Sequence, residues 1–520
     1  MLKCFSIISG ELSEEPSESL VEATTYQVEV EADELYFVDV PLKHIGNTNR
    51  WELRTPFAVG DAGFSVVLDG MVTQVPISVD PNPYKIEDRE IWETMLIDLL
   101  DWSESLLGHQ GVRDGSVEVG EMQNYLLLEA LYPLMKRFEQ ALRHLFEHLR
   151  QRTITPDTPL TLLELRAPFP LTQIATNPLA VSWMRGRGSV DEMPTVEAPF
   201  VQQTFDHSVN RYIRWLIEQV LDRLMDAVTK LRDISSSKNE ESRESNWRYA
   251  RASVLEGMAD RLRDLLWQSP LIDIEPAPLE DAAFLVILND PLYATVHKYG
   301  RLLCNQSLSL QGKDFASSMS RSFDIYELWC FRETVRQFET ELGMEATYRN
   351  VDKVSENPKW GTIAEFALED EVWQLEYNAT FPHHIPKDAN NSTKTERYSL
   401  LGEQRPDIVV YYANPSANKH IWMALDAKYR TSKDNLLDAF SSAFAYNQSL
   451  LDPRFGGHSI GCYLLTPKSQ QNTQKWFGDE FASTYPFGAF VLHPRTIRNS
   501  QLADFIIQQM KVSEVLRCFM

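Results

Sequence analysis

The sequence predicts a multi-domain α+β protein: a small β-rich N-terminal domain, a mainly helical middle region with a helical hairpin, and a C-terminal α/β domain built on a mixed sheet. Three observations carry this reading. Residues 24–80 alternate with the period of two that half-buried strands require. From about Ile91 the apolar period lengthens to that of a helix. Beyond residue 320, helical and strand-like segments interleave over a span of about 200 residues, the size of one ordinary domain.

The chain has 520 residues, more than one core usually organises. We place the domains at 1–85, 86–318 and 319–520. The first contains the strand-like runs TYQVEVE, ELYFVDVPL, GFSVVLDG and VTQVPISV, punctuated by Gly and Asp-Gly. The second opens with IWETMLIDLLDWSESLL and MQNYLLLEALYPLMKRFEQALRHLFEHLR, both of helical period. A proline-richer stretch, 153–200, reads as an irregular connection. Residues 206–267 then form a helical hairpin. Val209, Tyr212, Ile213, Leu216, Val220, Leu224 and Val228 share one face of its first helix, and the polar run ISSSKNEESRES separates it from the second. The third domain starts with the helix FDIYELWCFRETVRQFETELG. Strands follow at EATYRNV, TIAEFAL and WQLEYNATF, then two apolar strands within residues 403–430, the helix NLLDAFSSAFAYNQSLL, strands at SIGCYLLTP and GAFVLHP, and a closing helix.

The net charge of −24 argues against binding a polyanion, but its distribution weakens that objection. Residues 321–520 hold 21 Lys+Arg against 25 Asp+Glu, a net of −4, so −20 lies in the other 320 residues. Five scattered cysteines (Cys4, Cys304, Cys330, Cys462 and Cys518) without CxxC spacing point to reduced thiols in a cytoplasmic protein. The opening MLKCFSIISGELSEE turns acidic too early for a signal peptide, and no run approaches the ~20 apolar residues of a membrane span.

The chemistry concentrates at two strand ends. One strand opens on Pro406-Asp407, and the next closes on Asp426-Ala427-Lys428. Buried carboxylates and amines are costly unless paired or metal-bound. Alternate strand residues share a face, so Asp426 and Lys428 point the same way, and Asp407 reaches them if the strands are neighbours. Two carboxylates with waters and a substrate phosphate suit Mg2+ or Mn2+. The lysine would orient or help deprotonate an attacking water.

This Pro-Asp…Asp-x-Lys array resembles the PD-(D/E)XK nuclease superfamily. The YELW helix, the RPDIVV strand, the LDAKYR strand and the AYNQ helix are similar to the nuclease domain of McrC-like restriction proteins, over roughly residues 320–480. The resemblance implies a restriction-endonuclease-like fold and adds Glu327, on the helix before the meander, as a further catalytic or metal-binding residue. Tyr446 and Gln448 on the later helix become accessory candidates. It also implies a cytoplasmic, Mg2+-dependent DNA endonuclease in a restriction or phage-defence system, acting with a separate motor NTPase. No GxxxxGK[ST] occurs, so a motor would be another chain. The alternative is a non-catalytic scaffold whose nuclease-like domain only docks DNA or protein.

A competing signal, His144-x-x-Glu147-His148, matches an inverted zinc-protease pattern. It lacks a clear third ligand and lies on an amphipathic helix, so a surface pair is expected.

Overall fold

The computed structural model describes residues 2–8, 11–14, 19–37, 40–46, 48–108, 131–165, 171–187, 193–235, 242–304, 319–350, 362–384, 397–495 and 501–517. The chain divides into two compact units. One comprises Met1–Pro133, Lys230–Val254 and Gln306–Met520; the other comprises Leu134–Thr229 and Leu255–Asn305.

The first unit begins as two facing sheets. One orders its strands Glu11–Glu14, Lys3–Ile8, Thr25–Glu29, Arg50–Arg54 and Lys43–His44; the other orders Ser19–Val21, Met71–Asp80, Ala58–Leu68, Glu34–Phe37 and Val40–Pro41. The period of two in their sequence turns Tyr26, Val28, Trp51, Leu53, Phe64 and Val79 into a shared buried core. Met319–Arg321 adds a further strand, antiparallel to Ala58–Leu68. The chain entering the C-terminal region is therefore tied into the N-terminal sheet. Helix α1 (Arg89–Gly108) follows those sheets and buries Ile91, Trp92, Met95, Leu99 and Trp102.

Two helices, α2 (Ser208–Ser235) and α3 (Ser242–Trp267), occupy the span expected to form the hairpin. Every face residue predicted for α2, from Val209 to Val228, is buried, as are Leu255, Met258 and Leu262 of α3. Residues 236–241 of its polar tip, and Cys518, lie outside the described residues. The stretch 153–200 is more regular than expected. Arg152–Ile154 pairs with Gln202–Thr204, and Asp157–Thr161 pairs with Thr195–Pro199. Two short helices, Leu171–Thr176 and Pro178–Met184, lie between them. Strands of three to five residues are too short to establish a period, even where one of them, Thr195–Pro199, alternates between exposed and buried positions. The second helix is capped by Asn177, which accepts from the Leu179 and Ala180 amides, ahead of proline at the first helical position.

The C-terminal region is a mixed α/β layer structure, as predicted. After α4 (Ser322–Leu342), seven strands lie side by side in chain order: β1 (Thr347–Asn350), β2 (Thr362–Ala367), β3 (Val372–Tyr377), β4 (Ile408–Asn414), β5 (Lys419–Ala427), β6 (Cys462–Thr466) and β7 (Phe487–Val491). β1 to β5 form an antiparallel meander. The links β5–β6 and β6–β7 are parallel. A parallel link needs a crossover, and α5 (Lys433–Ser449) supplies the first. Its Leu436, Ala439, Phe440 and Ala443 pack on one sheet face with Val409, Tyr411, Trp422 and Ala424. The opposite face is covered by α4 and α6 (Gln501–Arg517), with α1 packed on α4.

Candidate active site

The ladder between β4 and β5 decides where the acidic residues go. Ile408 pairs with Leu425, so one step outward Asp407 lies across from Asp426. Residues directly opposed in an antiparallel pair share a face. Val409, Tyr411, Trp422 and Ala424 face α5, and the period of two puts Asp407 and Asp426 on that same side. The site thus sits at the ends of two central strands, rather than on an edge strand of the sheet.

Asp407 is 7% exposed and Asp426 only 1%. The Ala427 amide donates to Asp407 Oδ2 at 2.7 Å, filling the place of a ladder bond at the strand end. Lys428 Nζ donates to Asp426 Oδ1 at 2.8 Å. Asp426 Oδ2 is buried and accepts no hydrogen bond from the described residues. Burial pushes the Asp407 carboxyl well above the ordinary carboxylate range; the adjacent charge of Asp426 and then that of Glu327 push it further, while Lys428 pulls it down. For Lys428, burial alone would lower the ammonium, but Asp426 and then Asp407 override it and hold the lysine above its usual range. The site is therefore a pair of opposed carboxyls, one accepting from the Ala427 amide and the other from the Lys428 ammonium.

The other candidates are placed differently. Glu327 is half-buried on α4 and acts on Asp407 through its charge. Tyr446 is half-buried on α5; burial raises its hydroxyl first, and the charge of Asp426 next. Gln448 is exposed, about 200° around the helix from Tyr446. His144 and His148 are both exposed, and their helix, Leu131–Phe146, ends before the second of them. Their rings meet edge-on at 5.2 Å, and His148 Nδ1 contacts the His144 carbonyl at 3.0 Å.

Among the described residues no three His, Cys, Asp or Glu side chains form a group placed to hold a metal. The two aspartates nevertheless fit a hard divalent cation. Their ligand atoms are carboxylate oxygens, and Asp426 Oδ2 is a desolvated acceptor with no donor among the described residues. Asp407 and Asp426 would supply the protein ligands, with water and substrate completing the shell.

The raised Asp407 carboxyl gives a signed expectation. Stability from a group with a raised folded value is complete below its unfolded value, about 3.9, and is lost as pH rises through the folded one. Asp407→Asn does not titrate, so it is expected to be more stable than wild type at pH 8 in the absence of metal, a gap that closes by about pH 4. Chemical denaturation in chelator at both pH values checks this; a gap that widens toward acid would refute it.

Residues 324–449 match the family described as the PD-(D/E)XK nuclease superfamily. That interval runs from the first turn of α4 to the last residue of α5 and includes Glu327, Asp407, Asp426 and Lys428. No curated protein matches the chain. Among solved structures, it is similar to a chain of the "Refined half-complex from tetradecameric assembly of Thermococcus gammatolerans McrB AAA+ hexamers with bound McrC". The identity is 12%, the alignment covers 91% of this chain and 86% of that one, and the TM-score is 0.28.

Proposed function

We propose, from the premise that residues 324–449 are a PD-(D/E)XK nuclease superfamily segment, that this chain is a Mg2+- or Mn2+-dependent DNA endonuclease. The observation that carries the reading is the buried Asp407–Asp426 pair, with Lys428 on one Asp426 oxygen and no well-formed hydrogen bond to the other among the described residues. A divalent cation bound by these carboxylates would stabilise charge on the phosphate and acidify water at neutral pH. Lys428, held protonated by its two acidic neighbours, presents N–H donors that orient the attacking water and screen the phosphate. The neutral Tyr446 hydroxyl offers a further donor on the same side.

The cleavage subunit of a restriction or anti-phage system is the setting that the motif resemblance favours. The chain has no P-loop motif, so the motor NTPase would be a separate partner. The acidic remainder of the chain suits protein partners and target selection better than DNA backbone contact. Free thiols at Cys4, Cys304, Cys330 and Cys462 agree with a cytoplasmic site of action. Among the described residues no helix is long and apolar enough to cross a membrane.

The test is cleavage of plasmid DNA with Mg2+ or Mn2+, with and without a candidate motor NTPase supplied as a separate chain. Folded protein that binds DNA but never cuts it would leave the scaffold alternative. Lys428→Ala is expected to lower turnover by about 10²–10⁴-fold while Mn2+ affinity survives. Equal loss of both would make the lysine structural.

A further inference from the structure

We infer that Lys85, from the N-terminal β-rich segment, is a positioning residue for the catalytic strand end, acting through Tyr429. The inference rests on the nuclease reading and extends it to residues far outside the matched interval.

Tyr429 directly follows Lys428 and points to the opposite side of the sheet. It is 5% exposed. Its ring lies 5.5 Å from Tyr326 of α4 and 6.2 Å from Trp92 of α1. Its hydroxyl is buried and makes no well-formed hydrogen bond among the described residues, but it faces the Glu22 carboxylate, whose charge adds to burial in raising it. The cation on that face is Lys85, whose Nζ is 4.2 Å from the ring centroid and 5.1 Å from that of Phe57. An ammonium between two aromatic faces, withdrawn from water, is a favourable and directional contact.

Glu22 fixes this cation. Its side chain is fully buried and lies 3.7 Å from Lys85 Nζ. The same carboxylate accepts from the Asn82 amide at 3.1 Å and from Ser322 Oγ at 2.5 Å. Ser322 is the first residue of α4, the helix that carries Glu327. One buried carboxylate from the N-terminal sheets thus holds both the start of α4 and the ammonium on Tyr429. Lys428 is the next residue back along the chain, so restraint of Tyr429 sets where its ammonium stands against Asp426. Misplacing a reacting group by about 1 Å costs catalysis on the order of 10²-fold.

The test uses the full-length protein, plasmid cleavage kinetics in Mn2+, and Mn2+ binding by calorimetry. Lys85→Met is expected to lower kcat by about 10- to 100-fold with KM and Mn2+ affinity unchanged. Because it strands the Glu22 carboxylate, the charge-neutral double variant Lys85→Met/Glu22→Gln is measured beside it and is expected to show the same kcat deficit in a folded protein. Lys85→Arg and Tyr429→Phe, which keep the cation and the ring, should retain activity. Tyr429→Leu should lose it, and combining it with Lys85→Met should add little. Wild-type kcat in the double variant, or a Lys85→Arg protein as impaired as Lys85→Met, overturns the positioning role alone. A wild-type chain that cuts no better than Asp426→Ala overturns the nuclease reading, and this inference with it.

Discussion

Asp426→Ala is expected to lower metal-dependent DNA cleavage by about 10³-fold or more, because it removes one of two protein ligands to a cation that contributes several kcal/mol to the transition state. The fold should survive. Asp426 is buried, yet the cation that donates to it is Lys428, whose side chain is 23% exposed and can turn to water. Asp407 loses its like-charged neighbour, which relieves part of the force that raises its carboxyl. Plasmid nicking in Mg2+ and Mn2+, paired with a denaturation curve, separates the two effects. Full activity in a folded Asp426→Ala protein would remove the nuclease function from this site.

Arg397→Met is expected to destabilise the protein by about 3–5 kcal/mol, the usual consequence of removing one partner from a buried ion pair. Arg397 Nη2 donates to Glu376 Oε1 at 2.7 Å, Nε to the Thr380 carbonyl at 2.7 Å, and Nη1 to Tyr411 Oη at 3.2 Å. Its guanidinium lies 5.3 Å from the Phe381 ring centroid. Glu376 is 5% exposed on β3, so the variant leaves a carboxylate in the core without its cation. Replacing both partners, as Arg397→Met/Glu376→Leu, should cost less than the single change, since no buried charge is then stranded. Urea denaturation decides: a single variant within about 1 kcal/mol of wild type would mean the pair is solvated in solution.

The strands of the C-terminal sheet were readable because their apolar runs are bounded by turn residues, and the crossover helix because its small and apolar residues recur at helical spacing. The connection at 153–200 was read as irregular because its paired segments, three to five residues long, are too short to set a period. Asp407, Asp426 and Lys428 stood out because each sits where a buried strand ends, and strand alternation already places Asp426 and Lys428 on one face. Their encounter with Asp407 needed only neighbouring strands, which a short connection favours. Tyr446 and Gln448 looked equivalent as letters two apart on a helix; rotation about the helix axis turned one toward the carboxylates and left the other in solvent.

By itself the sequence determined the fold class, the strands and helices around the C-terminal sheet, and the residues that converge at two adjacent strand ends, because all of these rest on local periodicity and nearest-neighbour pairing. The tertiary structure decided the register that sets Asp407 opposite Asp426, the loss of a donor at Asp426 Oδ2, and the buried node of Glu22, Lys85, Ser322 and Tyr429. Glu22 and Ser322 lie 300 residues apart. A single ion pair or ring contact across that separation has no repeat along the chain, so nothing in the order of residues announces it until the sheets have packed.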